Sequence, residues 1–122
     1  MDDIFLQAVY GAAGRLKMPI TFQFSHVVLG GRLPYLFAHY PNLYADLSAN
    51  SGSCAILRDP DFGLRFLHKF ADKLLFATDM TPPEQHFPLG PWMDEQVAYG
   101  KLSFCDYEKI CFRNAQQLYA FV

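Results

Sequence analysis

The sequence lacks several features that mark membrane, nucleic-acid-binding and secreted proteins. No apolar run approaches the roughly 18 residues that a membrane-spanning helix needs, so we expect no membrane partner. A net charge of −2, without any basic cluster, argues against nucleic acid as a partner. The acidic start, Met1-Asp2-Asp3, has no basic segment of the kind that opens a signal peptide. We therefore predict a cytoplasmic location.

Cysteine and histidine are few, and their spacing forms no complete metal motif. The odd number of cysteines without a C-x-x-C pair favours reduced thiols in the core or on helices. No histidine belongs to an H-x-H or H-E-x-x-H pair, and His68 is expected to face solvent. The cysteines are Cys54, Cys105 and Cys111, and the histidines are His26, His39, His68 and His86.

Apolar and aromatic residues are abundant instead. They include 12 Phe and 7 Tyr in 122 residues, and 52% of the chain is apolar. This composition excludes a disordered protein and predicts large buried surfaces. The length is that of one domain, so we predict a single domain over residues 1–122.

Helical and strand patterns alternate along the chain. We predict helices over residues 4–17, 33–40, 59–73, 91–99 and 104–121, and strands over 20–25, 43–47 and 74–79. The first helix has one apolar face, with residues such as Phe5, Val9 and Leu16 spaced three or four apart. Asp59-Pro60 and Ser103 with Asp106 are typical of helix starts. Strands separated by helices predict an α/β fold with parallel strands.

Candidate site residues follow the predicted strands. Asp79 ends the third strand, where α/β proteins present catalytic groups. Asp46 lies near the end of the second strand, and Ser48 opens a polar loop over residues 48–53; the two either line a ligand pocket or are an ordinary strand-end aspartate and turn serine. His86 lies in the loop over residues 80–90 and is a candidate substrate contact.

Several segments, taken in order, resemble the C-terminal half of the amidohydrolase-related family. That family contains metal-dependent hydrolases and decarboxylases built on a (β/α)8 barrel. The resembling segments are residues 40–48 (YPNLYADLS), 58–60 (RDP), 72–79 (DKLLFATD), 108–110 (EKI) and 114–115 (NA). The resemblance implies a partial TIM-type (β/α) barrel, with parallel strands alternating with helices and with further helices at the C-terminal end.

The resemblance also implies roles for particular residues. Asp79 matches the family's strand-end aspartate, which binds a divalent metal, zinc or manganese, and acts as general base on the metal-bound water. In the hydrolases of the family, this water attacks a C–N or C–O bond of a small-molecule substrate. Other members of the family decarboxylate their substrate. Gln23 occupies the place of a metal-binding histidine and is expected at the substrate pocket. His26, three residues later, is the alternative metal ligand.

Two departures from the family pattern lead to a second hypothesis. The family's H-x-H strand is missing, and the segment from Gln23 to Gly30 is too short for a strand carrying a second histidine. A whole barrel needs about 250 residues. We therefore expect a fragmentary or inactive hydrolase relative; the alternative is a non-catalytic interaction or assembly module. Exposed sheet edges and uncovered helix faces would favour a homo-oligomer.

Overall fold

Short apolar segments that alternate with helices build a central sheet. The structure is a computed structural model, and it describes residues 3–23 and 32–119. Strands β1 (Ile20–Gln23), β2 (Leu43–Asp46) and β3 (Leu74–Leu75) are parallel and lie in the order β1-β2-β3. The helices are α1 (Ile4–Arg15), α2 (Leu33–His39), α3 (Ala49–Leu57), α4 (Pro60–Lys69), α5 (Leu89–Ala98), α6 (Phe104–Glu108) and α7 (Asn114–Tyr119). The α/β fold with parallel strands is confirmed.

The strand register brings the carboxyl ends of the strands to one edge of the sheet. Gln23 lies opposite Asp46, and Asp46 lies opposite Leu75. Along β2 the side chains alternate, with Leu43 and Ala45 fully buried and Asp46 half-buried. Asp46 is therefore the last residue of the central strand, between the ends of its two neighbours.

Aromatic and aliphatic side chains fill the space between the sheet and the helices. Phe37 of α2, Phe66 of α4 and Phe70 form a chain of ring contacts, with centroid separations of 5.3 Å and 4.8 Å. Leu67, Met93 and other large aliphatic residues are fully buried around it. None of the helices in the described ranges is long and apolar enough to cross a membrane.

Both predicted local helix starts are confirmed. The Asp59 carboxylate accepts a hydrogen bond from the backbone N–H of Phe62 at 3.0 Å, and the Ser103 hydroxyl accepts one from Asp106 at 3.1 Å. The helix ends differ from prediction. The segment after α4 is a 3-10 turn over Ala71–Lys73, and the C-terminal helix contains a π-helical turn over Lys109–Arg113 between α6 and α7.

The prediction of a polar loop over residues 48–53 is wrong, because helix α3 begins at Ala49. Ser48 precedes the helix in an extended conformation. Gly52 permits this arrangement, since a Cβ atom there would lie 2.2 Å from the backbone oxygen of Leu47. A glycine is required wherever two backbone segments approach this closely.

The third strand is shorter than predicted. It ends at Leu75, and the backbone N–H of Phe76 donates instead to the carbonyl of Ile110 in the π-helical turn, at 2.8 Å. Asp79 consequently lies in a loop four residues beyond the strand. The first strand is present over Ile20–Gln23, and the other positions predicted for it, 24 and 25, lie outside the described residues.

The apolar face of α1 points to solvent. Phe5 and Leu16 are 79% and 71% exposed, whereas Tyr10 on the opposite side is the buried residue of the helix. The Tyr10 ring packs on Tyr40 at a centroid distance of 5.4 Å. An aromatic contact with the residue that ends α2 therefore fixes which side of α1 packs inward, and the apolar stripe is exposed.

Candidate functional site

A cavity lies at the carboxyl edge of the sheet. Its volume is about 530 Å³, and Asp46, Ser48 and Asp79 are all part of its wall. Two chain segments that are separated in the sequence are therefore brought together, as expected from the parallel strands. The other lining residues are Thr21, Leu75, Phe76, Ala77, Ala115 and Tyr119.

Asp46 is held by the turn that follows β2. Its Oδ1 atom accepts hydrogen bonds from the backbone N–H of Ser48, at 3.1 Å, and from the Ser48 hydroxyl. Ser48 is buried, so this contact is shielded from water. The hydroxyl does not cap helix α3. The side chain of Ser48 thus serves to fix the carboxylate of Asp46 at the cavity.

Asp79 is placed by a loop with an unusual backbone conformation. Its φ angle is 50°, in the left-handed region that non-glycine residues seldom occupy. The preceding residue, Thr78, accepts a backbone hydrogen bond from Ala49 at 3.2 Å, and Ala49 also has a positive φ, 57°. Aspartate tolerates this region better than most residues. Non-glycine residues in sparsely populated backbone regions cluster at functional sites.

Two further hydroxyls of the cavity wall come from β1 and α7, which are far apart in the sequence. The Tyr119 hydroxyl of α7 lies 3.0 Å from the Thr21 hydroxyl of β1, and both residues line the cavity. Their separation of 98 positions gave no local signal. Sequence reasoning therefore missed both hydroxyls, and only the packing of α7 on the sheet reveals them.

A buried asparagine positions α7 on the sheet. Asn114 donates from Nδ2 to the carbonyls of Ala71, at 2.7 Å, and Leu74, at 2.8 Å. The π-helical turn before it leaves the Ile110 carbonyl available to Phe76. Together these contacts hold the segment leaving β3, which supplies Phe76, Ala77 and Asp79 to the cavity.

Three other residues were predicted for the site: His86, Gln23 and His26. His86 is exposed in its loop and is not among the described residues that line the cavity. Gln23 ends β1 opposite Asp46 in the sheet register. His26 lies outside the described residues. His68 is exposed as predicted, and its Nδ1 atom lies 2.5 Å from a carboxylate oxygen of Asp106.

The described residues do not fit a zinc centre. Within residues 3–23 and 32–119, no group of three or more His, Cys, Asp or Glu side chains could hold a metal ion. The cavity itself offers the carboxylates of Asp46 and Asp79 with neighbouring hydroxyls. Zinc sites are built mainly from nitrogen and sulfur ligands, whereas oxygen ligands suit harder ions such as manganese.

The groups with displaced pKa values lie outside the cavity wall. Burial lowers the pKa of Lys73, whose ammonium donates to the carbonyl of Pro41 at 2.5 Å. A hydrogen bond to Asp94 raises the pKa of the Tyr107 phenol, and burial raises the pKa of the Cys111 thiol. Lys73 lines a second cavity of about 380 Å³, beside the residues that lead into β2 and β3.

No protein-family model, curated protein or solved structure matches this chain. The likeness to the amidohydrolase-related family therefore depends on the sequence segments alone.

Proposed function

We propose that this chain is a relative of the amidohydrolase-type hydrolases and that its cavity binds a small polar molecule. The observation that carries the proposal is the meeting of Asp46 and Asp79 in one cavity of about 530 Å³ at the carboxyl ends of parallel strands. Ligands of α/β proteins bind at this edge. In this proposal the three strands correspond to part of a (β/α) barrel.

The cavity groups have complementary roles in the proposal. Asp46, fixed by Ser48, accepts hydrogen bonds from the amide or hydroxyl groups of the ligand. The hydroxyls of Thr21 and Tyr119 also line the cavity and can donate to a carbonyl oxygen of the ligand. Asp79 is an exposed part of the cavity wall, where its carboxylate can accept a hydrogen bond from the bound ligand and a proton from water.

Hydrolysis would require water activation at this position. In the proposed reaction, water attacks the carbonyl carbon of an amide or ester and Asp79 takes its proton. The C–N or C–O bond then breaks as Asp79 returns this proton to the departing nitrogen or oxygen, so that the products are a carboxylic acid and an amine or alcohol. The described residues do not complete a zinc site, so no step is assigned to a metal ion. We therefore expect ligand binding with turnover much weaker than that of a complete amidohydrolase.

The test compares ligand binding in two charge-neutralised variants. Thermal unfolding is recorded with a panel of small amides, esters, lactones and carboxylic acids, with and without Mn²⁺. We expect at least one compound to raise the Tm of the natural chain and to have no effect on Asp79→Asn. Asparagine suits the left-handed backbone of this position, so the loop keeps its shape.

The matched control is Asp61→Asn. Asp61 is an exposed carboxylate in the first turn of α4, and it does not belong to the described cavity wall. If no compound binds, or if binding is equal in Asp79→Asn, the proposal is wrong. Release of acid from a bound ester, measured by titration, distinguishes turnover from binding alone.

A second candidate function is a non-catalytic assembly module. It is favoured by the apolar stripe of α1, which the described fold leaves uncovered. A defined oligomer that binds none of the panel compounds would support this candidate over the first.

A further inference from the structure

The charged side chains that the structure describes around the cavity at the sheet edge are all of one sign. They are the carboxylates of Asp46 and Asp79. The ten lysine and arginine residues of the chain all belong to the described ranges, and none of them lines this cavity. A ligand in the cavity therefore meets two carboxylates and neither an ammonium nor a guanidinium group of the chain.

Neither carboxylate is neutralised by a described neighbour. Asp46 accepts hydrogen bonds from the backbone N–H and the hydroxyl of Ser48, and both of these donors are uncharged. Within residues 3–23 and 32–119, no ion pair includes Asp46 or Asp79. The negative charges of the cavity are therefore left for a ligand to balance.

We propose that the cavity selects positively charged ligands, namely small amides or esters that carry an ammonium group. This inference rests on the proposed function and names the class of molecule that the same cavity takes. An ammonium group has three N–H donors, and hydrogen bonds between charged partners are shorter and stronger than those between neutral ones. A ligand with a carboxylate would instead meet charges of its own sign.

Asp46 is the carboxylate better suited to hold the ammonium group. Its side chain is half-buried and fixed by Ser48, whereas Asp79 is exposed. Opposite charges attract each other more strongly where less water surrounds them, and salt screens exposed charges most. Asp79 then remains available for the proton of the attacking water, and the hydroxyls of Thr21 and Tyr119 for the carbonyl oxygen of the ligand.

Three small amides that differ only at one end test the selection. β-Alaninamide ends in an ammonium group, butanamide in a methyl group and succinamate in a carboxylate, and all three share an unbranched chain with a primary amide. Chemical-shift titration of the isotope-labelled full chain, at neutral pH and low salt with EDTA present, gives each Kd and shows which backbone signals move. EDTA removes divalent metal ions, which would compete for the carboxylates.

We expect β-alaninamide to bind at least about tenfold more tightly than butanamide, and succinamate to bind more weakly than either. A tenfold ratio corresponds to about 1.4 kcal/mol, which is less than the attraction between two opposite charges in contact near a protein surface. The backbone signal of Ser48 should move with β-alaninamide, because Ser48 donates to the carboxylate that holds the ammonium group. Added salt should weaken β-alaninamide and leave butanamide unchanged.

Asp46→Asn tests which carboxylate holds the ammonium group. The variant keeps a side-chain oxygen that can accept from Ser48, so the turn is preserved while the charge is lost. We expect the preference for β-alaninamide over butanamide to fall below about threefold, as removal of a close charge predicts. Asp61→Asn, an exposed carboxylate outside the described cavity wall, is the matched control and should keep the full preference.

Three results would overturn the inference: β-alaninamide fails to bind, it binds no more tightly than butanamide, or its preference survives in Asp46→Asn. The proposed function is judged separately by its own compounds and by Asp79→Asn. A neutral ester or lactone that binds the natural chain and not Asp79→Asn would retain the proposed function even when the preference for a positive charge is absent.

Discussion

Removing the side-chain amide of Asn114 should destabilise the chain strongly. The amide nitrogen donates to the carbonyls of Ala71 and Leu74, at 2.7 Å and 2.8 Å. Asn114 is 5% exposed, so water cannot easily replace the amide. Asn114→Ala therefore leaves two carbonyl groups without the donor that serves them.

The magnitude follows from those two bonds. Each buried carbonyl that loses its donor costs about 1–3 kcal/mol, and relaxation recovers part of this. We expect Asn114→Ala to lower the free energy of unfolding by about 2–4 kcal/mol. Because small domains have total stabilities of about 5–15 kcal/mol, this is a large fraction. Asn114→Asp should cost at least as much, since an ionised carboxylate cannot donate and would face two carbonyl oxygens.

Urea unfolding, followed by circular dichroism and by the fluorescence of the partly buried Trp92, measures the change. Gln116→Ala is the matched control, because Gln116 is exposed on the same helix and its loss should change stability by less than about 0.5 kcal/mol. A loss below about 0.5 kcal/mol in Asn114→Ala would show that these hydrogen bonds do not anchor α7.

Three further predictions concern side chains that are buried or whose pKa values are displaced. The Ser53 hydroxyl is buried and has no hydrogen-bond partner among the described residues, so Ser53→Ala should raise the free energy of unfolding by up to about 1 kcal/mol in urea titrations; a loss above 1 kcal/mol would reveal a partner. Tyr107 donates to Asp94 at 2.6 Å, which raises the pKa of the phenol. The stability that this hydrogen bond contributes is fully present below the pKa of tyrosine in the unfolded chain, about 10. It is lost as the pH rises through the higher pKa that Tyr107 has in the folded chain. Tyr107→Phe should therefore cost about 1 kcal/mol between pH 7 and 9, an estimate reduced for solvent screening, and progressively less above pH 10; a cost that is independent of pH up to 12 would contradict the shift. Burial raises the pKa of Cys111, so iodoacetamide at pH 8 should alkylate it at least tenfold more slowly than the two exposed cysteines, as measured by peptide mass spectrometry. Equal rates at all three thiols would contradict that inference.

Features that depend on a few neighbouring residues were predictable from the sequence. Asp59 and Ser103 start helices because each side chain accepts from a backbone N–H three residues later. The parallel sheet follows from helices alternating with strands. The same logic placed Asp46 and Asp79 at one edge, where the structure has them in a common cavity.

Tertiary contacts decided the features that the sequence pattern missed. Strand β3 stops at Leu75 because the next N–H donates to Ile110, 34 positions further along the chain. Helix α3 begins directly after Ser48, where the backbone N–H of Ala49 donates to the carbonyl of Thr78, 29 positions further along the chain. Likewise, the pairing of Thr21 with Tyr119 depends on where α7 lies on the sheet.

Helix α1 shows the distinction most directly. The spacing of its apolar residues determined that it is an amphipathic helix, because the periodicity of a helix is a local property. Which face packs inward was decided by Tyr10 packing on Tyr40 at the end of α2, a contact between distant segments. The sequence alone thus determined most of the elements and the approximate location of the carboxylates, although it missed helix α3. Only the tertiary structure decided how long each strand runs, which hydroxyls meet those carboxylates and which apolar surface stays exposed, because each of these depends on partners far away in the chain.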